Sequence, residues 1–164
     1  MQLDKKKAYL LLGSNLGERA LYLTSALKLI EAKVGDIKLK SAVYETAAWG
    51  KTDQPSFLNL AVEVDTSLTS IQLLNAVLEI EQSLGRIRAE KWGARLIDID
   101  IILYGNEIVS MADELQIPHP EMQNRKFVME PLAEIAPNLI HPVLRKSVSK
   151  ILIDLNDSLT VQKI

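Results

Sequence analysis

The sequence predicts an α+β domain with a mainly antiparallel sheet. Three observations carry this. Strand-period and helix-period segments alternate in the order β-α-β-β-α-β, a proline-punctuated helical region follows, and no repeat or linker divides the 164 residues. That length fits one domain over residues 1–164 with a sizeable core.

KAYLLL (residues 7–12) reads as the first strand, and GSNLG after it as a tight turn. From Glu18 to Lys33, Ala20, Leu23, Leu27, Ile30 and then Val34 recur at helical spacing, and Gly35 suits a helix C-cap. IKLKSAVYET alternates as a second strand, with Ile37, Leu39 and Val43 on one side and Lys38, Lys40 and Tyr44 on the other. AAWGKTDQPS reads as a loop. FLNLAVEVD is a third strand with Leu58, Leu60, Val62 and Val64 on the core face and Phe57, Asn59 and Glu63 opposite.

A second helix fits Ser70 to Leu84 on Ile71, Leu74, Val77, Leu78 and Leu84, stopping at Gly85. The fourth strand lies in RLIDIDIILYG (95–105), and YGNE turns the chain after it. Five of the six prolines fall between 118 and 142, which predicts loops and short helices, the clearest at Pro131–Ala136 and Ser147–Leu155. This order is the ferredoxin-like arrangement with extra C-terminal helices. Helices on one face of such a sheet are expected to leave the other free for a site.

An apolar content of 48% with 24% charged residues is that of an ordinary globular protein. A net charge of −2 gives no reason to expect nucleic acid or an anionic membrane as partner. With no cysteine, disulfides, thiolate catalysis and Cys-type zinc sites are excluded. No apolar run reaches the ~18 residues that span a bilayer. The apolar run AYLLL near the start is too short for a signal peptide, so a cytoplasmic location is expected.

Asp98 and Asp100 interrupt a strand of Ile and Leu. Being two apart, they share a face, with Ile97, Ile99, Ile101 and Leu103 on the other. Two like charges that close need a positive partner. Hard divalent cations take oxygen ligands, and Mg²⁺ characteristically combines one or two carboxylates with substrate phosphates. A solvated sheet face is the alternative, weakened because Asp is depleted in strands.

Just upstream, Arg86, Arg88, Lys91 and Arg95 fall within ten residues. Arginine forks bind phosphate oxygens, and phosphoryl-type transfer is mostly positioning and charge neutralisation. Any one of these cations is more simply a solvated loop residue, but the cluster beside two acids is not. GSNLG matches neither the P-loop nor the dinucleotide-binding glycine pattern. Phe57 and Asn59 project together, a ring and an amide suited to a planar heterocycle. His119, between two prolines, is a candidate phosphate contact, whereas His141 reads as structural.

KWGARLIDIDIILYG, with GRIR just before it, closely resembles the signature of the 6-hydroxymethyl-7,8-dihydropterin pyrophosphokinase family of folate biosynthesis. GSNLG, VYET, DQPSFLNLAV, the IE before LGR, and PHPEMQNRKFVMEPLAEIAP agree in order, over about residues 8–155. The resemblance implies a ferredoxin-like fold and transfer of pyrophosphate from ATP to the pterin hydroxymethyl group, releasing AMP.

It also implies that Asp98 and Asp100 ligate two Mg²⁺ ions, and that Arg86 and Arg95 stabilise charge on the phosphates. Trp92 would help close the site. Glu81, Arg88, Trp92, Ile101, His119 and Arg125 would form the ATP site. Thr46, Ala47, Trp49, Phe57, Asn59 and Phe127 would hold the pterin, stacked between the two phenylalanines. Phe57 stands where the family often has Tyr, Pro120 where an aromatic often follows the histidine, and Leu78 where some members are polar. A monomer is expected, with ATP and the pterin as its partners.

Two other readings compete. A nucleotidyltransferase would need a glycine-serine element and a third downstream carboxylate, which are missing. An RNA-binding or regulatory module is possible for this element order. Against it, the strands lack the RNP-type aromatic pattern, and paired acids repel phosphate unless a cation intervenes.

Overall fold

The computed structural model describes residues 4–15, 18–46, 56–85, 97–157 and 160–164. Strand β1 (Lys6–Ser14) leads to helix α1 (Arg19–Lys33), then to β2 (Gly35–Lys40), β3 (Tyr44–Thr46) and β4 (Phe57–Thr66). Helix α2 (Ser70–Gly85) precedes β5 (Asp98–Tyr104). A hairpin of β6 (Val109–Met111) and β7 (Leu115–Ile117) follows, then α3 (Lys126–Ile135), α4 (Val148–Asp154) and β8 (Val161–Lys163). The main sheet runs β5-β1-β4-β3-β8 with β2 also on β4, and its described pairings are antiparallel. With β2 and β3 taken as one broken strand, this is the ferredoxin-like order.

β1 lies at the centre because its apolar run is continuous and both faces are covered. Leu10 and Leu12 on one face join Leu58, Leu60, Val62 and Val64 of β4 and Ile99 and Ile101 of β5. Leu23, Ala26 and Ile30 of α1 and Leu73, Val77 and Ile80 of α2 close that core. Each fully buried Leu, Ile or Val among them contributes roughly 1.5–3 kcal/mol. Tyr9, Leu11 and Ala61 on the other face pack with Val128, Met129 and Leu132 of α3 and Val148 and Ile151 of α4. The second face is therefore largely covered by the C-terminal helices rather than free.

Several elements differ from the sequence expectation, each for a local reason. Leu103 does not share the face of Ile101. An irregularity in pairing opposite Tyr9 and Leu10 leaves Ile102 without a partner in the register, and Leu103 turns to the α3–α4 side. IKLKSAVYET is two strands, because Ser41 Oγ takes the Ala61 N–H at 2.9 Å and interrupts the ladder. Gly35 is not a C-cap; it opens β2, where a Cβ would collide with the Asp65 carbonyl oxygen.

In α1, Ala26 is buried and Ala20 exposed. The buried stripe of α2 runs Leu73, Val77, Ile80, leaving Ile71 and Leu78 at the surface. Helix α3 begins at Lys126 rather than Pro131, so the proline sits inside it and leaves the Phe127 carbonyl without its usual helical donor. Residues 161–163 form β8 on β3, an edge strand the sequence does not announce.

Candidate active site

The open end of the sheet gathers residues from β1, β4 and β5. In the register, Gly13 of β1 is the shared rung, opposite Asp98 on one side and Asn59 on the other. Directly opposed residues face the same way, and adjacent strands lie about 4.8 Å apart. Asp98 and Asn59 therefore flank a single glycine, across two strand spacings. Asp100, one step along, opposes Leu11, so both acids look toward the α3 side as their spacing predicts.

Gly13 matters because Asn59 occupies the space above it. A Cβ there would stand 2.6 Å from Asn59 Nδ2. That Nδ2 donates to the Leu12 carbonyl at 3.3 Å, while the buried Oδ1 has no hydrogen-bond partner among the described residues. Thr46 Oγ1 and both amide atoms of Asn15 are likewise buried and unpartnered there. Unpaired buried polar atoms each cost about 1–3 kcal/mol, so their grouping at one end of the sheet marks a place where a polar ligand would be accepted. Thr46 and Phe57 form the last rung of β3 and β4, with Phe57 half-buried.

At the outer edge of β5, a cleft of about 470 Å³ is lined by Glu81, Asp98, Asp100, Ile101, His119 and Pro120 together with Leu74, Val77 and Leu78 of α2. Two anchors set its floor. Glu81 Oε2 accepts the Ile99 N–H at 2.6 Å, tying α2 to β5, and the His119 N–H donates to the Ile102 carbonyl at 3.0 Å. Ile101 lies between them. Leu78 is 45% exposed and, with Leu74, gives the cleft an apolar wall.

His119 Nδ1 accepts the Glu121 N–H at 3.2 Å, which leaves the proton of the neutral ring on Nε2. Burial is the main influence on this imidazole and pushes its pKa down. The Asp100 carboxylate opposes that, Arg125 adds to it, and Glu121 opposes it. The His119 ring thus senses the charges of both Asp100 and Arg125. The Arg125 guanidinium also lies 5.8 Å from the centre of the Phe127 ring, at the start of α3.

The structure thus brings Glu81, Asp98, Asp100, Ile101 and His119 into one cleft, with Arg125 in electrostatic reach. Thr46, Phe57 and Asn59 stand together beyond Gly13. Phe127 packs against the second core cluster on α3, the helix laid over β4. Arg86, Arg88, Trp92 and Arg95, and Ala47 and Trp49, lie outside the described residues.

Asn15 and Gly13 are the members the sequence reading missed, having taken GSN only as a turn. The available signal was parity: Gly13 and Asn15 continue the face of Leu11. As a donor set, two aspartates on one strand face fit a hard cation that draws its remaining ligands from phosphate and water.

Fold and site together define a ferredoxin-like domain with an acidic edge cleft beside a polar, aromatic-flanked subsite. The family model described as 7,8-dihydro-6-hydroxymethylpterin-pyrophosphokinase matches residues 9–137. The chain is 47% identical over 135 residues to a 2-amino-4-hydroxy-6-hydroxymethyldihydropteridine pyrophosphokinase of Methylorubrum extorquens, covering 82% of this chain and 85% of the relative. It is 44% identical to the Aquifex aeolicus protein of the same name, over 84% of this chain and 85% of that one.

Among solved structures, a Plasmodium falciparum HPPK-DHPS superposes with a TM-score of 0.76 at 18% identity. That match covers 91% of this chain but 43% of the larger one, so the chain spans less than half of that protein. The likeness supports the fold. The chain belongs to the 7,8-dihydro-6-hydroxymethylpterin-pyrophosphokinase family.

Proposed function

We propose that the protein transfers the β,γ-pyrophosphoryl group of ATP to the hydroxyl of 6-hydroxymethyl-7,8-dihydropterin, releasing AMP, with Mg²⁺ held at Asp98 and Asp100. The observation that carries this is the shared rung at Gly13, which sets the Asp98 carboxylate and the Asn59 amide on either side of one side-chain-free residue, with Asp100 on the same strand face opposite Leu11. Family membership supplies the substrates.

The pterin would lie against Phe57, with the Asn59 Oδ1 and Thr46 Oγ1 acceptors and the Asn59 amide facing its ring edge, and Phe127 on the other side. ATP would occupy the edge cleft, its base against Leu74 and Leu78 and its phosphates toward Asp98, Asp100, His119 and Arg125. Bound Mg²⁺ supplies charge neutralisation of the phosphates and fixes their orientation.

The pterin hydroxyl oxygen bonds to the β-phosphorus as that atom's bond to the α,β-bridging oxygen breaks, and AMP departs. Asp98, across Gly13 from Asn59, would lie near the hydroxyl and accept its proton. Arg86 and Arg95 would bring positive charge to the bridging and leaving oxygens, with Arg88 on the nucleotide and Trp92 excluding water.

Incubation with ATP, Mg²⁺ and the pterin tests this by the nucleotide product. AMP formed in step with pterin consumption supports the proposal; ADP, or nucleotide loss independent of pterin, contradicts it. Asp98→Asn and Asp100→Asn should each lower turnover by about 10²-fold or more with the circular dichroism spectrum unchanged. Normal activity in either refutes the metal assignment.

A further inference from the structure

Arg19 opens helix α1, yet its side chain reaches away from the helix. Its Nη1 donates to the Ser56 carbonyl at 2.8 Å and to Ser56 Oγ at 2.9 Å, and lies 3.5 Å from Glu45 Oε2. Ser56 Oγ in turn donates to Glu45 Oε2 at 2.7 Å. The three side chains close a clasp between the start of α1, β3 and the residue before β4.

The clasp's position gives it meaning. Glu45 precedes Thr46 and Ser56 precedes Phe57, and Thr46–Phe57 is the last described rung of the β3–β4 ladder. Strand alternation turns Glu45 toward the face of Leu58, opposite Thr46, Phe57 and Asn59. Arg19 therefore stands behind the sheet and acts on that rung only through the backbone.

β3 has three residues, and its other neighbour, β8, also has three. So short a ladder frays at its end unless tied. The ion pair itself is part-exposed, with side chains 29% and 37% accessible, so its value is chiefly geometric.

We infer that Arg19 is a positioning residue: through Glu45 and Ser56 it fixes the rung that presents Thr46 and Phe57 to the heterocycle. This rests on the pterin reading of that face. Displacement of such groups by about 1 Å is enough to weaken productive binding severely.

The experiment is steady-state kinetics of Arg19→Met and Arg19→Lys with ATP, Mg²⁺ and 6-hydroxymethyl-7,8-dihydropterin. Arg19→Met should raise the pterin KM about tenfold, the scale of one lost charge-assisted hydrogen bond, with kcat and the ATP KM within about twofold of wild type. Arg19→Lys, which keeps one charged donor, should recover part of that loss.

An unchanged pterin KM in Arg19→Met overturns the inference, as does an equal decline in every parameter, which marks a purely structural residue. Should Arg19→Met fail to fold, Glu45→Gln decides by the same readouts, since it leaves Ser56 an acceptor but removes the charge facing Arg19. Wild-type protein inactive toward the pterin refutes the pterin reading itself, an outcome distinct from active wild type with an indifferent Arg19→Met.

Discussion

At Gly13 the absent side chain leaves room for the Asn59 carboxamide, and this is testable with one methyl group. Gly13→Ala places its Cβ 2.6 Å from Asn59 Nδ2, a terminal atom that can swing aside. The expected result is a pterin KM raised about tenfold, as the amide leaves its place, with urea-unfolding stability lowered by less than about 1 kcal/mol. Equal pterin affinity in the variant contradicts Asn59 as the reader of the ring edge.

His141 makes a separate, structural prediction. It is buried, its Nδ1 accepts N–H groups from Val143 and Leu144 at 3.2 and 3.0 Å, and burial lowers its pKa below the usual 6.5. The unfolded chain therefore binds the proton more readily, so this contribution is complete above about pH 6.5 and is lost as pH falls through the native pKa. The stability difference between wild type and His141→Asn should shrink on acidification below that pH, at no more than about 1.4 kcal/mol per pH unit for one proton. A pH-independent difference in urea-unfolding free energy would contradict it.

Between elements, close approach and register decide what single residues cannot. At Gly35 the backbones of β2 and β4 come so near that any Cβ meets the Asp65 carbonyl oxygen. Gly35→Ala must push the strands apart, and about 1–3 kcal/mol of stability should go with it in urea unfolding; a loss under about 0.5 kcal/mol would mean that β2 yields freely. A capping glycine and a close-approach glycine look alike in sequence, which is why the sequence alone suggests a cap here.

The same limit explains Leu103 and the stripe of α2. Period two places Leu58, Leu60, Val62 and Val64 on one face and the two aspartates on another without any knowledge of partners. The reversal at Leu103 comes from how β5 pairs with Tyr9 and Leu10, which no local pattern in β5 encodes. In α2, Leu73 and Leu74 are adjacent and both apolar, and only the packed sheet selects Leu73 for the core.

For the molecule as a whole, helices cover most of both sheet faces, and the candidate site lies at the end of the face over which α3 and α4 pack. β1 joins the two faces, buried from Ala8 to Ser14 and reduced to glycine where the acid edge meets the polar subsite. The element order and the carboxylate pair were legible because each rests on local periodicity. Arg19 was not, since its partners lie 26 and 37 positions away.

With the carboxylates of β5 facing one cleft, Mg²⁺ with a non-hydrolysable ATP analogue should raise the melting temperature of wild type, by about 2–4 °C per kcal/mol of binding free energy at this size. Asp98→Asn and Asp100→Asn should lose most of that shift; a full shift in both would remove these residues from the nucleotide site. In the proposed reaction two phosphoryl groups move together to one hydroxyl. Mass spectrometry of the pterin product after a single-enzyme reaction with ATP and Mg²⁺ reads this out: the pterin diphosphate should form with no monophosphate at any time point, whereas a pterin monophosphate, or an unmodified pterin beside consumed ATP, would rule the transfer out.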